Sequence, residues 1–345
     1  MVFMPLESAL AGRAGRSVSI AQVAEHAGVS VATVSRVLNG KQIVKEQTRV
    51  RVRQSIQATG YRVNQLARSL RTDESRLLLV MVPDIGNPFY APIIQGIDGV
   101  VQGEGYAVLL CETGGDANRE RRYFDLLEAR RADGAICLDP DTAQQALHEQ
   151  GMKFPWVACC EFDRQAPIPY VGIDNRAAAR DAVSYLIGKG HTRIAFVNSD
   201  TRFMYARERL QGYADALHEA GLDLASELCV EVASLGFSAG KSVVSRLLHL
   251  QPRPTAVFAV SDTLAIGVMR GLHDAGLRVP QDMAIMGFDD IALASQTCPS
   301  LSTIAQPMNE LGRQSAQLLL ARLDDPTRKL AGVILPHRMV LRESA

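Results

Sequence analysis

IAQVAEHAGVSVATVSRVLNG, residues 20–40, holds two short helix signals with a glycine turn between them. Ser19 and Gln22 make a capping-box pair at its entrance. Ile20, Val23, Ala24 and Ala27 recur at helical spacing. Gly28 then supplies a residue without Cβ for a left-handed stop. Ser30 is placed to cap a second helix, whose buried stripe is Val34, Val37 and Leu38, and Asn39-Gly40 ends it. The small Ala24 lets the two helices approach closely at a steep angle. This spacing predicts a helix-turn-helix. A third helix is expected from Glu46 to Ala58, with Val52 and Ile56 one turn apart, Arg49, Arg51 and Arg53 along it, and Gly60 as its stop.

Around this motif the composition divides. Residues 1–16 show no periodicity and read as a disordered tail. Residues 1–75 carry a net charge of +6 and the remainder −6, within a neutral chain of 345 residues. A small basic head on an acidic body suits a polyanion-binding module. The helix residues left facing outward are Val31, Ala32, Thr33, Ser35 and Arg36, with Ser30 at their start. In a major groove Arg36 suits a bidentate contact to guanine, and Val31 and Ala32 suit thymine methyls. Thr33 and Ser35 suit phosphates. The bland reading is a small helical bundle with no nucleic-acid role. The apolar content of 47% excludes a wholly disordered chain and supports two or three domains. No apolar run is long enough to span a membrane, and no export signal opens the chain, so a cytoplasmic protein is expected. The six cysteines form no CxxC and fall mainly in apolar runs, as reduced thiols do. Cys159 and Cys160 would face opposite sides of a strand, so their pairing is not expected.

From Leu77 onward the pattern changes. LLLVMV (77–82) is a continuous apolar run, as in a parallel strand covered on both faces. A helix follows at 89–103, then strands at 106–111, 134–138 and 156–160 around a charged helix at 118–131. The alternation restarts with strands at 193–198, 228–232, 256–260 and 283–288 and helices at 205–220, 239–250 and 263–275. This is the signature of α/β architecture, here two doubly wound parallel sheets. In such sheets ligands sit beyond the carboxyl ends of the strands. A small molecule between two lobes is the natural expectation.

The residue 20–40 run, with TRVRVRQSIQATGY and NQLARSLR after it, resembles the DNA-binding head and hinge of the LacI/GalR repressor family. NPFYAPIIQGID, VGIDN, RERLQGYADAL, PTAVFAVSDTLAIGVMRGLHDAGLRVPQDMAIMGFDD and PSLSTIAQP extend the likeness over nearly the whole chain from residue 18. The resemblance implies a sequence-specific regulator, most naturally a repressor. It would be a homodimer on a pseudo-palindromic double-stranded DNA operator, with an all-α head on a two-lobed body like the periplasmic binding proteins. The head would span 17–62, a hinge helix and linker 63–76, and the body 77–345. One lobe would hold about 77–175 plus 307–335, the other about 176–303 plus 336–341. Asn64, Ala67, Arg68 and Leu70 match hinge positions in the minor groove, and Leu70 matches the leucine that wedges between base pairs. Without the resemblance Leu70 reads as an ordinary linker residue. Val63 departs from the usual proline before the hinge, and Lys45 from the usual small cap of the third helix.

The resemblance also gives a cleft. Phe89 and Tyr90 suit stacking on a flat ring, although both could be core. Arg209 matches a ligand-gripping arginine, or pairs with a carboxylate on its own helix. Asp289 matches a carboxylate that accepts from ligand hydroxyls or N–H groups. Cys160 and Glu161 fall at polar positions of the family, while Ser261 and Asp262 follow the strand ending at Val260, near the cleft, and Asp262 reads equally as a helix cap. Leu235 stands where relatives often have an aromatic, so no aromatic platform is expected on that side. Within the family, TDESRLLLVMVPDIGNPFYAPIIQGI and STIAQPMNELGR resemble the cytidine-responsive branch, which hints at a nucleoside effector, with a sugar as the alternative.

Other chemistry finds little support. Gly236-Phe237-Ser238-Ala239-Gly240-Lys241-Ser242 has three residues between its glycines where a phosphate loop needs four. Gly103-Glu104-Gly105 lacks the third glycine of a dinucleotide fingerprint. Histidines are scattered, so no metal pair is expected, nor any other cofactor. The C-terminus offers no heptad for a coiled coil. A binding protein without a DNA role, or an enzyme using a cleft acid such as Asp289, is the competing reading.

Overall fold

The computed structural model describes residues 18–38, 43–61, 74–138 and 154–345. The chain divides into two compact units, residues 1–74 and 75–345. In the first, α1 (Ile20–Ala27), α2 (Val31–Leu38) and α3 (Glu46–Thr59) surround a small core of Val23, Ala24, Ala27, Val34, Val37 and Val52. The capping box forms as the sequence dictates. Gln22 N–H donates to Ser19 Oγ at 3.3 Å, and Ser19 N–H to Gln22 Oε1 at 2.8 Å. Gly28 takes φ 63° and turns the chain into α2. Lys45 precedes α3 with no side-chain acceptor to offer, so the acidic Glu46 in the first turn is the feature that favours this helix start. His26 Nδ1 meets Ser55 Oγ at 3.1 Å and ties α1 to α3.

The second unit opens with β1 (Leu77–Val82), α4 (Tyr90–Val101), β2 (Ala107–Glu112), α5 (Ala117–Glu128), β3 (Gly134–Cys137), β4 (Trp156–Cys159) and β5 (Tyr170–Ile173). The alternation resumes with α6 (Asn175–Gly188), β6 (Ile194–Asn198), α7 (Met204–Glu219), β7 (Cys229–Glu231), α8 (Phe237–His249), β8 (Ala256–Ala259), α9 (Asp262–Asp274), β9 (Ala284–Asp289) and β10 (Ser302–Ala305). The chain closes with α10 (Met308–Asp324), β11 (Val333–Leu335) and β12 (Arg338–Val340). Two sheets result, ordered β11-β5-β4-β3-β1-β2 and β12-β10-β9-β8-β6-β7. All pairings are parallel except that of β10 with β12. The chain passes between the sheets three times, at 173–175, 305–308 and 335–338.

Helices pack in pairs on these sheets, and glycine sets how closely. A Cβ on Gly96 of α4 would lie 2.1 Å from the Asn309 carbonyl of α10, and one on Gly312 2.0 Å from the Ile93 carbonyl. Gly212 does the same for α7 against α6, and Gly240 and Gly267 for α8 against α9. Backbone meets backbone at each crossing, which leaves no room for a side chain.

Candidate functional site

A cavity of about 640 Å³ opens between the two sheets, at the carboxyl ends of their strands. Phe89 and Tyr90 reach it from the turn after β1, where Phe89 N–H donates to Asn87 Oδ1 at 3.0 Å. Their rings meet edge to face, 5.2 Å between centroids. Phe89 is buried and also belongs to the main core, so it serves both readings of its residue type. Cys160, Glu161, Arg209, Ser261 and Asp289 line the same cavity.

Arg209, in the second turn of α7, is 5% exposed. Its Nε donates to Asn175 Oδ1 at 2.9 Å, and Nη1 donates to the Val260 carbonyl. The guanidinium lies 3.5 Å from the centroid of the Phe288 ring and 5.2 Å from that of Tyr205. A helix-face carboxylate is therefore not its partner. Among the described residues Nη2 makes no hydrogen bond, which leaves donors for a guest. Burial pulls the guanidinium below its ordinary pKa, against the carboxylates of Asp289 and Glu161.

Asp289 ends β9 with φ 121°, and Cys160 follows β4 with φ 72°. Side chains disfavour both conformations, and such strain gathers at working sites. Asp289 Oδ1 accepts from Gln306 Nε2 at 2.8 Å. Burial pushes the Asp289 carboxyl up to about 7, against the pull of Arg209 and Gln306. The positive φ of Cys160 departs from the extended backbone that the alternation of Cys159 and Cys160 assumed, and both thiols are free. It turns the side chain back to the side that Cys159 faces, and the two Sγ atoms stand 3.7 Å apart.

Glu161 lies past β4, yet both of its oxygens serve the opposite lobe. Oε2 accepts from Met204 N–H at 2.8 Å and Oε1 from Tyr205 N–H at 2.9 Å, at the start of α7. It caps that helix across the cleft, where Phe203 at the N-cap position has no acceptor of its own. Asp262 does not cap α9. Ser261 holds that position, with Leu264 N–H 3.4 Å from its Oγ. The fully buried Asp262 accepts from Thr303 Oγ1 at 2.6 Å and from Ile291 N–H at 2.9 Å.

Several lining residues escape the sequence reading. Leu235 lines the cavity as expected, but the second lobe does have aromatics. Phe203 and Tyr205 stack at 5.7 Å with their planes 16° apart. They follow β6 as Phe89 and Tyr90 follow β1, and that echo is the signal that finds them. Asn175 and Gln306 sit where the chain crosses between lobes. In the head, Ser30 Oγ accepts from Thr33 N–H at 3.2 Å, which makes it the cap of α2. Val31, Ala32 and Arg36 are exposed, and Thr33 and Ser35 half-buried. Asn64, Ala67, Arg68 and Leu70 lie outside the described residues. Among the described residues no helix is long and apolar enough to cross a membrane.

Comparison with known proteins joins the head to the cavity. Residues 19–64 match the family described as bacterial regulatory proteins, lacI family, and residues 183–345 match a periplasmic binding protein-like domain. The HTH-type transcriptional repressor CytR of Escherichia coli (strain K12) is 37% identical over 93% of this chain and 94% of its own length. The lac repressor dimer bound to operator and the anti-inducer ONPF superposes with a TM-score of 0.85 at 27% identity, covering 95% of this chain and 99% of that one. A complex of the transcriptional regulator CelR with cellobiose gives 0.71 at 31% identity, over 95% and 100%. A DNA-reading head and a binding-protein body in one chain are thus shared along its length with regulators rather than enzymes, and this protein belongs to the LacI family of DNA-binding transcriptional repressors.

Proposed function

We propose that an uncharged, hydroxyl-bearing effector, a nucleoside or a sugar, enters the cavity and changes the grip of a homodimer on a pseudo-palindromic operator. The observation that carries this is the buried Arg209, oriented by Asn175 and Val260 with donors still unspent beside the Asp289 carboxyl. A fork of donors and an acceptor on one wall suit vicinal hydroxyls or a ring carbonyl with its N–H. Five carboxylates, from Asp84, Glu161, Asp200, Glu231 and Asp289, line the cavity against the guanidinium groups of Arg202 and Arg209. That balance disfavours a phosphorylated ligand. The stacked Phe203 and Tyr205 favour a flat base, while the cellobiose held by the similar CelR favours a sugar.

In this reading Ser30, Val31, Ala32, Thr33, Ser35 and Arg36 contact the operator from α2, and the hinge residues Asn64, Ala67, Arg68 and Leu70 the minor groove. The edge strand β2 exposes Leu109 and Leu110, and the neighbouring turn Ile85. Apolar surface of this kind supports a subunit interface. The test combines calorimetric titration with cytidine, ribose and cellobiose and selection of a duplex from a random pool. Heat from one compound, together with a changed affinity for the selected duplex, is the expected result. Absence of any duplex preference refutes the reading.

A further inference from the structure

Two thiols meet in the wall of the cavity. Cys159 is fully buried, while Cys160 is half-buried and lines the cavity. Consecutive strand residues face opposite ways, yet Val157, Cys159 and Cys160 all pack with the same core cluster. The left-handed backbone at Cys160 is what brings the sulfurs to 3.7 Å. We propose that Cys159 and Cys160 form a chelating dithiol that takes a trivalent thiophilic centre, an arsonous acid carrying one organic group, from the cavity.

Three considerations select this ligand class. Joining the sulfurs directly is poorly matched, because adjacent Cα atoms are about 3.8 Å apart while disulfides favour about 4.4–6.8 Å. A bridging atom fits better. With sulfur bonds of about 2.3 Å, the zinc–thiolate length, a tetrahedral centre spans sulfurs about 3.8 Å apart, and a pyramidal arsenic draws them slightly closer. Such a centre must bring its remaining bond with it, because among the described residues no three metal-ligating side chains converge. The hydrogen bond to Cys159, burial and the carboxylates of Glu161 and Asp289 hold the Cys160 thiol well above the ordinary range. A peroxide needs a thiolate and is ill served by it. An arsonous acid instead accepts the thiol protons itself. Cys160 Sγ bonds arsenic, and one hydroxyl leaves with the thiol proton as water. Cys159 Sγ then displaces the second hydroxyl in the same way. Arsenic stays trivalent and no electrons are transferred.

The experiment is titration of the full chain with phenylarsine oxide, read by intact mass and by counting the six cysteine thiols. One phenylarsenic group per chain with loss of two thiols is expected. Its release should need about a hundredfold more 2-mercaptoethanol than 2,3-dimercaptopropanol, as two linked bonds require. Cys160→Ser, which changes the cavity wall, and Cys159→Ala, which tests the buried partner separately, should each lose that resistance. Cys298→Ser, at an exposed position, should keep it. Resistance that persists in Cys160→Ser or Cys159→Ala overturns the assignment, as does a wild-type adduct that the monothiol releases just as readily.

Discussion

Arg209 joins three parts of the second unit: the crossing residue Asn175, the end of β8 and the ring of Phe288. Lysine keeps the charge but not the planar fork. Arg209→Lys should therefore weaken effector binding at least about tenfold, or 1.4 kcal/mol, in calorimetry while leaving affinity for the selected duplex unchanged. Asp289 makes a different prediction. Its carboxyl, held near 7, keeps a proton that the unfolded chain gives up from about pH 4 upward. Stability should thus fall as pH rises between about 4 and 7. Asp289→Asn should reduce that slope in denaturant melts, leaving the part due to Asp262, which burial also raises. Arg209 and Asp289 are legible in the sequence because each sits in a short run with a fixed place in the family pattern. Asn175 is not, since an asparagine opening a helix is ordinary until the chain crossing that carries it is known. Cys160 misleads because the alternation rule assumes extended backbone, and nothing in CCEF announces a left-handed residue.

Helix α7 depends on a carboxylate from the other lobe. Glu161→Gln retains one acceptor and loses the charge, which should cost about 1 kcal/mol. The Met204 and Tyr205 amides should then exchange hydrogen faster, while those of α9, capped locally by Ser261, keep their rates. Helix α4 offers a paired test. Gly96→Ala forces a Cβ onto the Asn309 carbonyl and should cost about 1–3 kcal/mol or more, measured by chemical denaturation. Gly99→Ala, in the same helix with open space around its Cβ position, should instead stabilise by up to about 1 kcal/mol. Sequence shows both glycines alike. Only the partner helix, more than two hundred residues on, tells them apart.

At the scale of the whole molecule the regulator couples two chemistries, and under the function proposed above, with Leu70 as the wedge in the operator, that residue separates them. Leu70→Ala should weaken affinity for the selected duplex about tenfold to a hundredfold, or 1.4–2.8 kcal/mol. The salt dependence of that affinity should not change, because no phosphate contact is lost. Calorimetry should show effector binding unaltered. The alternation of strands and helices is readable along the chain because buried parallel strands are apolar throughout. The return of β11 and β12 to separate sheets is not, since three-residue strands flanking Pro336-His337 carry no local mark of where they dock. That threading bears on biosynthesis. A ribosome that has released β1 to β5 leaves β5 as an open edge, which closes only when residues 333–335 emerge. Neither lobe can be cut out as one continuous fragment, and a nascent chain stalled before residue 333 presents unpaired strand edges to whatever it meets.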